Sequence, residues 1–81
     1  MKNYNGYANY ETWNIALIIN NTEFLYYSAV EFMKDFKGDN PYIAFINYLG
    51  FESEMTVDGV KWIYHELNYE ELNELILGFK E

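Results

Sequence analysis

The sequence predicts an all-α fold, a compact bundle of four or five short helices that follows an irregular N-terminal arm. Apolar residues recur at helical spacing in five segments, and each segment begins near an Asn or Thr that can cap a helix. No stretch alternates apolar and polar residues for long enough to indicate a strand. The 81 residues fit one domain, 1–81, in which the segment MKNYNGYA, residues 1–8, has no periodicity and forms the arm.

The first helix is predicted over NYETWNIALIINN. Asn9 is a suitable N-cap, and Glu11 lies in the first turn, where the helix dipole favours an anion. The helix is apolar over much of its circumference, so we expect it to be mostly buried, with Trp13 in the core. Tyr10 and Asn14 are the side chains expected to point away from the Trp13 stripe.

Two further helices have clear boundary signals. Thr22 can cap the second helix, and Gly38 is expected to stop it. Asn40 caps the third helix, and the proline after it occupies the first helical position. Gly50 fits the left-handed position that follows a helix, with Phe51 packing back on the last turns.

The last third of the chain predicts one helix or two. Thr56 can cap a fourth helix, although Gly59 weakens that prediction by about 1 kcal/mol of helix propensity. Its apolar stripe comprises Val60, Ile63, Tyr64 and Leu67. Asn68 and Glu71 form a near capping box for a fifth helix, in which Asn replaces Ser or Thr. Residues 57–79 could equally form one long helix, because Asn68 does not forbid it.

Charge and composition exclude several functions. The chain has thirteen acidic residues, five lysines and no arginine, which gives a net charge of −8. We therefore expect no direct binding to nucleic acid. The charge is uneven, because residues 52–81 hold eight of the acids and two of the lysines. No apolar run approaches the length of a membrane span, and the start has no signal-peptide pattern. We therefore expect a cytoplasmic protein with no membrane partner.

The sequence offers little catalytic or metal chemistry. One histidine, His65, and no cysteine cannot build a structural zinc site. The acidic segment that begins at residue 52 fails as a calcium loop, because Val57 and Ile63 stand where glycine and glutamate are required. Nothing places Ser28 or Ser53 beside the histidine, and no glycine-rich elbow or phosphate loop is present. We expect no enzyme activity and no cofactor.

An acidic run supplies the main candidate surface. Glu66, Glu70 and Glu74 recur every fourth residue, with Glu71 beside them. They form either a solvated helix face that maintains solubility or a negative surface that docks on a basic groove. Trp62 lies off the apolar stripe, so it is either exposed or widens that stripe. The candidate partner-binding residues are therefore Glu66, Glu70, Glu71, Glu74, Trp62 and Tyr69.

Tyrosines supply a second candidate surface. The chain has 17 aromatic residues, nine of them tyrosines, and so small a core cannot hold them all. Exposed tyrosines are enriched at interfaces. Tyr4, Tyr7 and Tyr10 recur every third residue, and they either fold back over the core, which we favour, or form an edge for a partner.

The first helix carries a family resemblance. It resembles a small domain of unknown function found in phage, plasmid and archaeal-virus proteins, which opens with a pattern such as G-[YW]-x-N-Y-E-T-W-x-[VI]-A-L-W-[IL]-x-N. The matching residues are Gly6, Tyr7, Asn9, Tyr10, Glu11, Thr12, Trp13, Asn14, Ala16, Leu17 and Asn20 or Asn21. Ile18 departs from the pattern, which usually has a second tryptophan there. The tail ELNYEELNELILGF is similar to the family's closing helix, with Tyr69 in place of a tryptophan.

The resemblance implies an accessory protein of a mobile element and supplies no catalytic residues. Together with the acidity, it favours an anti-defence inhibitor (an anti-CRISPR or anti-restriction protein) that acts as a DNA mimic in the host cytoplasm. Its expected partner is a host defence nuclease or CRISPR effector, bound through a basic surface. The alternative is a non-inhibitory protein-interaction module, or a homodimer formed through surface tyrosines.

Overall fold

The computed structural model describes residues 4–80 and confirms the all-α prediction. Its four helices are α1 (Tyr10–Asn21), α2 (Glu23–Asp35), α3 (Pro41–Leu49) and α4 (Tyr69–Leu77). Over the described range, the only β-type pairings are isolated bridges, Tyr4 with Tyr7 and Met55 with Lys61. The first bridge closes a turn in the predicted arm, and the arm's first three residues lie outside the described range.

The predicted boundaries of α1 and α3 are confirmed, although the side chain of Asn40 makes no cap hydrogen bond to α3. The Oδ1 atom of Asn9 accepts a hydrogen bond of 2.9 Å from the backbone N–H of Thr12, as an N-cap should. At the end of α3, Gly50 has a φ of 77°, in the left-handed region that glycine adopts without steric cost. The N–H of Phe51 then donates to the carbonyl of Ile46 at 3.0 Å, which completes a Schellman motif.

The second helix begins where it was predicted to begin but ends earlier. Thr22 lies at the N-cap position, but its side chain makes no cap hydrogen bond. The helix ends at Asp35, before Gly38, because Phe36 already has extended backbone angles. Leu25, Ala29 and Met33, which lie four residues apart along the helix, are buried.

The predicted fourth helix is wrong, and so is the single helix over residues 57–79. Residues 50–68 form a non-helical loop (the 50–68 loop) that packs against the helices. The N–H of Thr56 donates to the carbonyl of Val60 at 2.7 Å, and the N–H of Val60 donates to the Thr56 hydroxyl at 3.1 Å. Gly59 has a φ of 85°, which suits a tight turn and not a helix. The Thr56 side chain thus stabilises a turn instead of capping a helix.

The core joins the helices to this loop. The predicted apolar positions are buried, although the backbone of the 50–68 loop is not helical. Buried hydrophobic residues at the centre include Ile15, Ile19, Leu25, Met33, Tyr42, Phe45, Ile46, Val60, Trp62, Leu67, Leu72 and Ile76. The hydroxyl of Tyr42 donates to the carbonyl of Trp62 at 2.6 Å inside this core. Burial raises the pKa of Tyr42 well above its ordinary value of 10.0, and the neighbouring Tyr69 adds to the shift.

A polar clamp fixes the loop to α1. The Asn14 side chain is buried, and its Nδ2 donates to a carboxylate oxygen of Asp58 at 2.7 Å. The Thr56 hydroxyl donates to Oδ1 of Asn14 at 2.8 Å. The prediction that Asn14 points away from the packed face is therefore wrong, because Thr56 and Asp58, more than 40 residues along the chain, satisfy its amide.

Candidate partner-binding surfaces

The start of α4 is tied to the start of α1. Oδ1 of Asn68 accepts from the N–H of Glu71 at 3.0 Å, which confirms Asn68 as the N-cap. The N–H of Asn68 donates to the hydroxyl of Thr12 at 2.9 Å, and the carboxylate of Glu71 accepts from the N–H of Ala8 at 2.9 Å. The reciprocal half of the predicted capping box is therefore replaced by contacts to the first helix and the arm. Glu71 is half-buried and holds the arm in place.

The exposed carboxylates around α4 form the acidic surface, which we define as Glu66, Glu70 and Glu74. Glu70 and Glu74 lie one turn apart on α4, about 6 Å along its axis. Glu66 precedes the helix, so only Glu70 and Glu74 keep helical spacing. The side chain of Asn9 donates to the backbone carbonyl of Glu66 at 2.7 Å, which places that residue beside the start of α1.

The acidic surface has no lysine partner within residues 4–80. The imidazole of His65 is 3.7 Å from the carboxylate of Glu66, and both side chains are largely exposed. Like charges one helical turn apart, as at Glu70 and Glu74, cost a few tenths of a kcal/mol. The start of the α4 dipole offsets part of that cost for Glu70. The folded protein therefore presents uncompensated negative charge on this side.

The two aromatic candidates do not belong to this surface. Trp62 is only 3% exposed, and its ring centroid is 5.5 Å from that of Phe51 in the core. The hydroxyl of Tyr69 accepts from the N–H of Tyr64 and donates to the carbonyl of the same residue, each at 2.9 Å. Trp62 therefore has almost no surface to offer a partner, and Tyr69 has its hydroxyl engaged within the chain.

The aromatic residues of the arm pack on α1. The ring of Trp13 is half-buried, with its centroid 4.9 Å from that of Tyr4 and 5.8 Å from that of Tyr10. Tyr10 therefore lies beside Trp13, contrary to the prediction that it points away. Tyr4 folds back over the protein as expected. Trp13 was predicted to lie in the core, but it is only half-buried and packs against the arm.

A surface that the sequence reasoning missed lies between α2 and α3. We call it the aromatic recess, and its lining residues are Glu23, Phe24, Tyr27, Ser28, Glu31 and Tyr48. Phe24 is 66% exposed, Tyr27 59% and Tyr48 60%. The signal for it was present, since Phe24 and Tyr27 lie off the buried stripe of an amphipathic helix, where polar residues are the rule.

Neighbouring rings hold two sides of the recess in place. The ring of Tyr48 lies 5.2 Å from Phe32 and 6.4 Å from Phe45, which is fully buried. The ring of Tyr27 makes an edge contact with Tyr26, at 5.4 Å between centroids. Aromatic pairs at these distances stabilise one another by about 1 kcal/mol. Two of the three rings of the recess, Tyr27 and Tyr48, are thus held in place by neighbouring rings.

The two serines and the histidine considered for catalysis, Ser28, Ser53 and His65, do not form a catalytic arrangement within the described chain. Ser53 and His65 are both exposed, and within the described chain no hydrogen bond joins Ser28 or Ser53 to His65. Among residues 4–80, no three His, Asp or Glu side chains converge as a metal site would require. None of the helices described is both long and apolar enough to cross a membrane.

Comparison with known proteins gives one match. The model of a family of unknown function, DUF7249, matches residues 1–81. No curated protein and no solved structure matches the chain.

Proposed function

The chain belongs to the DUF7249 family, whose function is unknown, and we propose that it acts by binding a protein rather than by catalysis. The proposed partner is a host defence protein with a basic nucleic-acid-binding surface, either a restriction nuclease or a CRISPR effector. By occupying that surface, the chain mimics DNA and inhibits the effector in the host cytoplasm.

One observation carries the proposal: Glu66, Glu70 and Glu74 are exposed together without a lysine partner among residues 4–80. The net charge of −8 extends the negative field beyond these three residues. Such a field steers a basic partner towards the acidic surface and accelerates association at low salt. A surface needed only for solubility could have used interspersed lysines at lower cost to helix stability.

The resemblance of NYETWNIALIINN to proteins of phages and plasmids supports a mobile-element origin. Small proteins of such elements need no activity of their own if they block a host enzyme.

Capture of host proteins by immobilised variants tests the proposal. In the test variant, Glu66, Glu70 and Glu74 are changed to Gln. The matched control changes the exposed residues Asp39, Glu52 and Glu54 to Asn or Gln, so both variants have a net charge of −5. Glu71 stays unchanged, because it binds the arm.

We expect the wild-type chain and the control to capture a nucleic-acid-binding protein at low salt and to release it at high salt, because exposed charges are screened. The test variant should capture at least ten-fold less. Equal capture by both variants would show that the acidic surface is not the docking site, and retention at high salt would show that the contact is not electrostatic.

The alternative, a homodimer or non-inhibitory module that uses surface tyrosines, is favoured by the exposure of Tyr27 and Tyr48. It predicts a mass by light scattering that rises with protein concentration and does not change with salt. The variant with both tyrosines changed to Ser would then remain monomeric. A wild-type chain that stays at 9.7 kDa at all concentrations excludes the homodimer.

A further inference from the structure

We infer that the aromatic recess binds the guanidinium group of an arginine side chain on a partner protein. The inference does not depend on the acidic surface, since the recess lies on α2 and α3 and shares no residue with it. It rests on three features of the recess: exposed aromatic faces, carboxylates at its rim and ring contacts that hold two of its three rings in place.

The aromatic faces supply the attraction for a cation. Phe24 and Tyr27 are three residues apart on α2, so they lie on the same side of that helix. Tyr48 lines the recess from α3. A cation over the face of such a ring gains about 0.5–1 kcal/mol at an exposed site, and guanidinium groups are found there more often than ammonium groups.

The carboxylates add charge complementarity. Glu23 and Glu31 both line the recess, and Asp35 lies beyond Tyr48 in the adjoining depression. Glu31 accepts from the ammonium group of Lys34 at 2.9 Å, in a pair whose side chains are more than half exposed. Such a pair contributes little stability, so an incoming guanidinium can share or replace it. A planar guanidinium can stack on a ring while donating to a carboxylate at its edge.

Other occupants fit less well. A symmetric dimer through the recess would bring the Glu23 and Glu31 carboxylates of both copies into one interface, and two chains of net charge −8 would repel each other. An apolar side chain would partly desolvate the rim carboxylates and would offer neither of them a hydrogen-bond donor. The rings alone suit several partners, whereas rings together with carboxylates select a cation.

A tripeptide titration followed by amide resonances in NMR tests the inference. The probe is acetyl-Gly-Arg-Gly-amide, and the matched control peptide has citrulline, a neutral isostere of arginine. A third peptide has leucine. We expect the arginine peptide to produce saturable shifts in the amide resonances of Phe24, Tyr27, Glu31 and Tyr48. The citrulline and leucine peptides should bind with at least five-fold lower affinity.

Protein variants separate the two contributions. Phe24→Leu keeps an apolar side chain but removes the aromatic face. It should lower the affinity for the arginine peptide about two- to five-fold, which corresponds to one exposed cation–π contact. The double variant Glu23→Gln with Glu31→Gln should weaken it similarly. The double variant Glu52→Gln with Glu54→Gln, which has the same net charge, should not.

Three results would overturn the inference. One is an equal response to the leucine or citrulline peptide, which would indicate an apolar occupant. Another is a shift of the same resonances on dilution of the protein alone, which would indicate a second copy. The third is no saturable shift with the arginine peptide. The variant of Glu66, Glu70 and Glu74 should retain the peptide response, so failure of the acidic surface as a docking site leaves this inference standing.

Discussion

The polar clamp makes a prediction about stability. Asn14→Ala removes both of its side-chain hydrogen bonds, to the carboxylate of Asp58 and from the hydroxyl of Thr56. The clamp connects α1 to the 50–68 loop, which contributes Val60 and Trp62 to the core. Its loss should therefore weaken the whole domain and not only the loop.

The magnitude follows from the two bonds. The bond to a charged acceptor contributes about 1.5 kcal/mol, at the low end of its range because Asp58 is exposed, and the buried bond from Thr56 contributes about 1 kcal/mol. The higher helix propensity of alanine offsets about 0.5 kcal/mol of this loss in the free energy of unfolding. The expected net loss is about 2 kcal/mol. A domain of this size has a total stability of about 4–12 kcal/mol, so the melting temperature should fall by about 8–16 °C.

Urea denaturation followed by circular dichroism measures this loss. The matched control is Asn20→Ala, which makes the same change at an exposed position of α1 and should alter the free energy of unfolding by less than about 0.5 kcal/mol. A double-mutant cycle with Thr56→Ala should give a coupling of about 1 kcal/mol. If Asn14→Ala is no more destabilising than the control, the clamp does not stabilise the fold.

Three further changes test the fold. Asn9→Ala should cost about 1–2 kcal/mol in urea denaturation, because it removes the N-cap bond from Thr12 and the bond to the carbonyl of Glu66. Thr22→Ala, which removes no cap bond, should cost under about 0.5 kcal/mol, and equal costs would contradict the cap assignment. Gly50→Ala should cost about 1 kcal/mol through its positive φ, and no loss of melting temperature would refute that strain. Tyr42→Phe should cost about 1–3 kcal/mol at neutral pH, because the buried carbonyl of Trp62 loses its donor. The pKa of Tyr42 is higher in the folded chain than in the unfolded chain, so the free energy of unfolding is maintained below pH 10.0 and falls above it, by up to about 1.4 kcal/mol per pH unit. Tyr42→Phe should reduce this slope, and parallel pH profiles of the variant and the wild type would contradict the prediction.

Local signals were sufficient for much of the fold. Asn9 and Asn68 act as N-caps through their own side chains, and Gly50 ends α3 by its backbone freedom. Each of these features involves residues close together in the chain, so a pattern of a few letters can reveal it. Together they placed α1 and α3 correctly and identified the start of α4.

Long-range contacts account for what the sequence did not reveal. The spacing of Val60 and Leu67 matches a helix, and both are buried, but β-branched and aromatic residues around them have weak helix propensity. Contacts with Asn14 and Thr12 on α1 then decide the backbone of the 50–68 loop and its junction with α4. The burial of Trp62 was missed for the same reason. Its position was judged on a helix that does not form, and on that helix the ring would lie off the apolar stripe.

The aromatic recess was missed for a related reason. Phe24 and Tyr27 were predicted to be helical, but their neighbour Tyr48 comes from a different helix, so only the tertiary fold places the three rings around one depression. Conversely, the acidic surface was predictable in outline, because Glu70 and Glu74 are close in sequence. The engagement of Glu71 with Ala8 was not, since it joins residues 63 positions apart.

We propose that the acidic surface competes with nucleic acid for a basic host protein. The most direct measurement is the binding of labelled duplex DNA to the captured partner, by fluorescence anisotropy, while the chain is added. We predict that the wild-type chain displaces the DNA and that the variant lacking the carboxylates of Glu66, Glu70 and Glu74 does not. DNA that stays bound when the partner is saturated with the wild-type chain would contradict the claim.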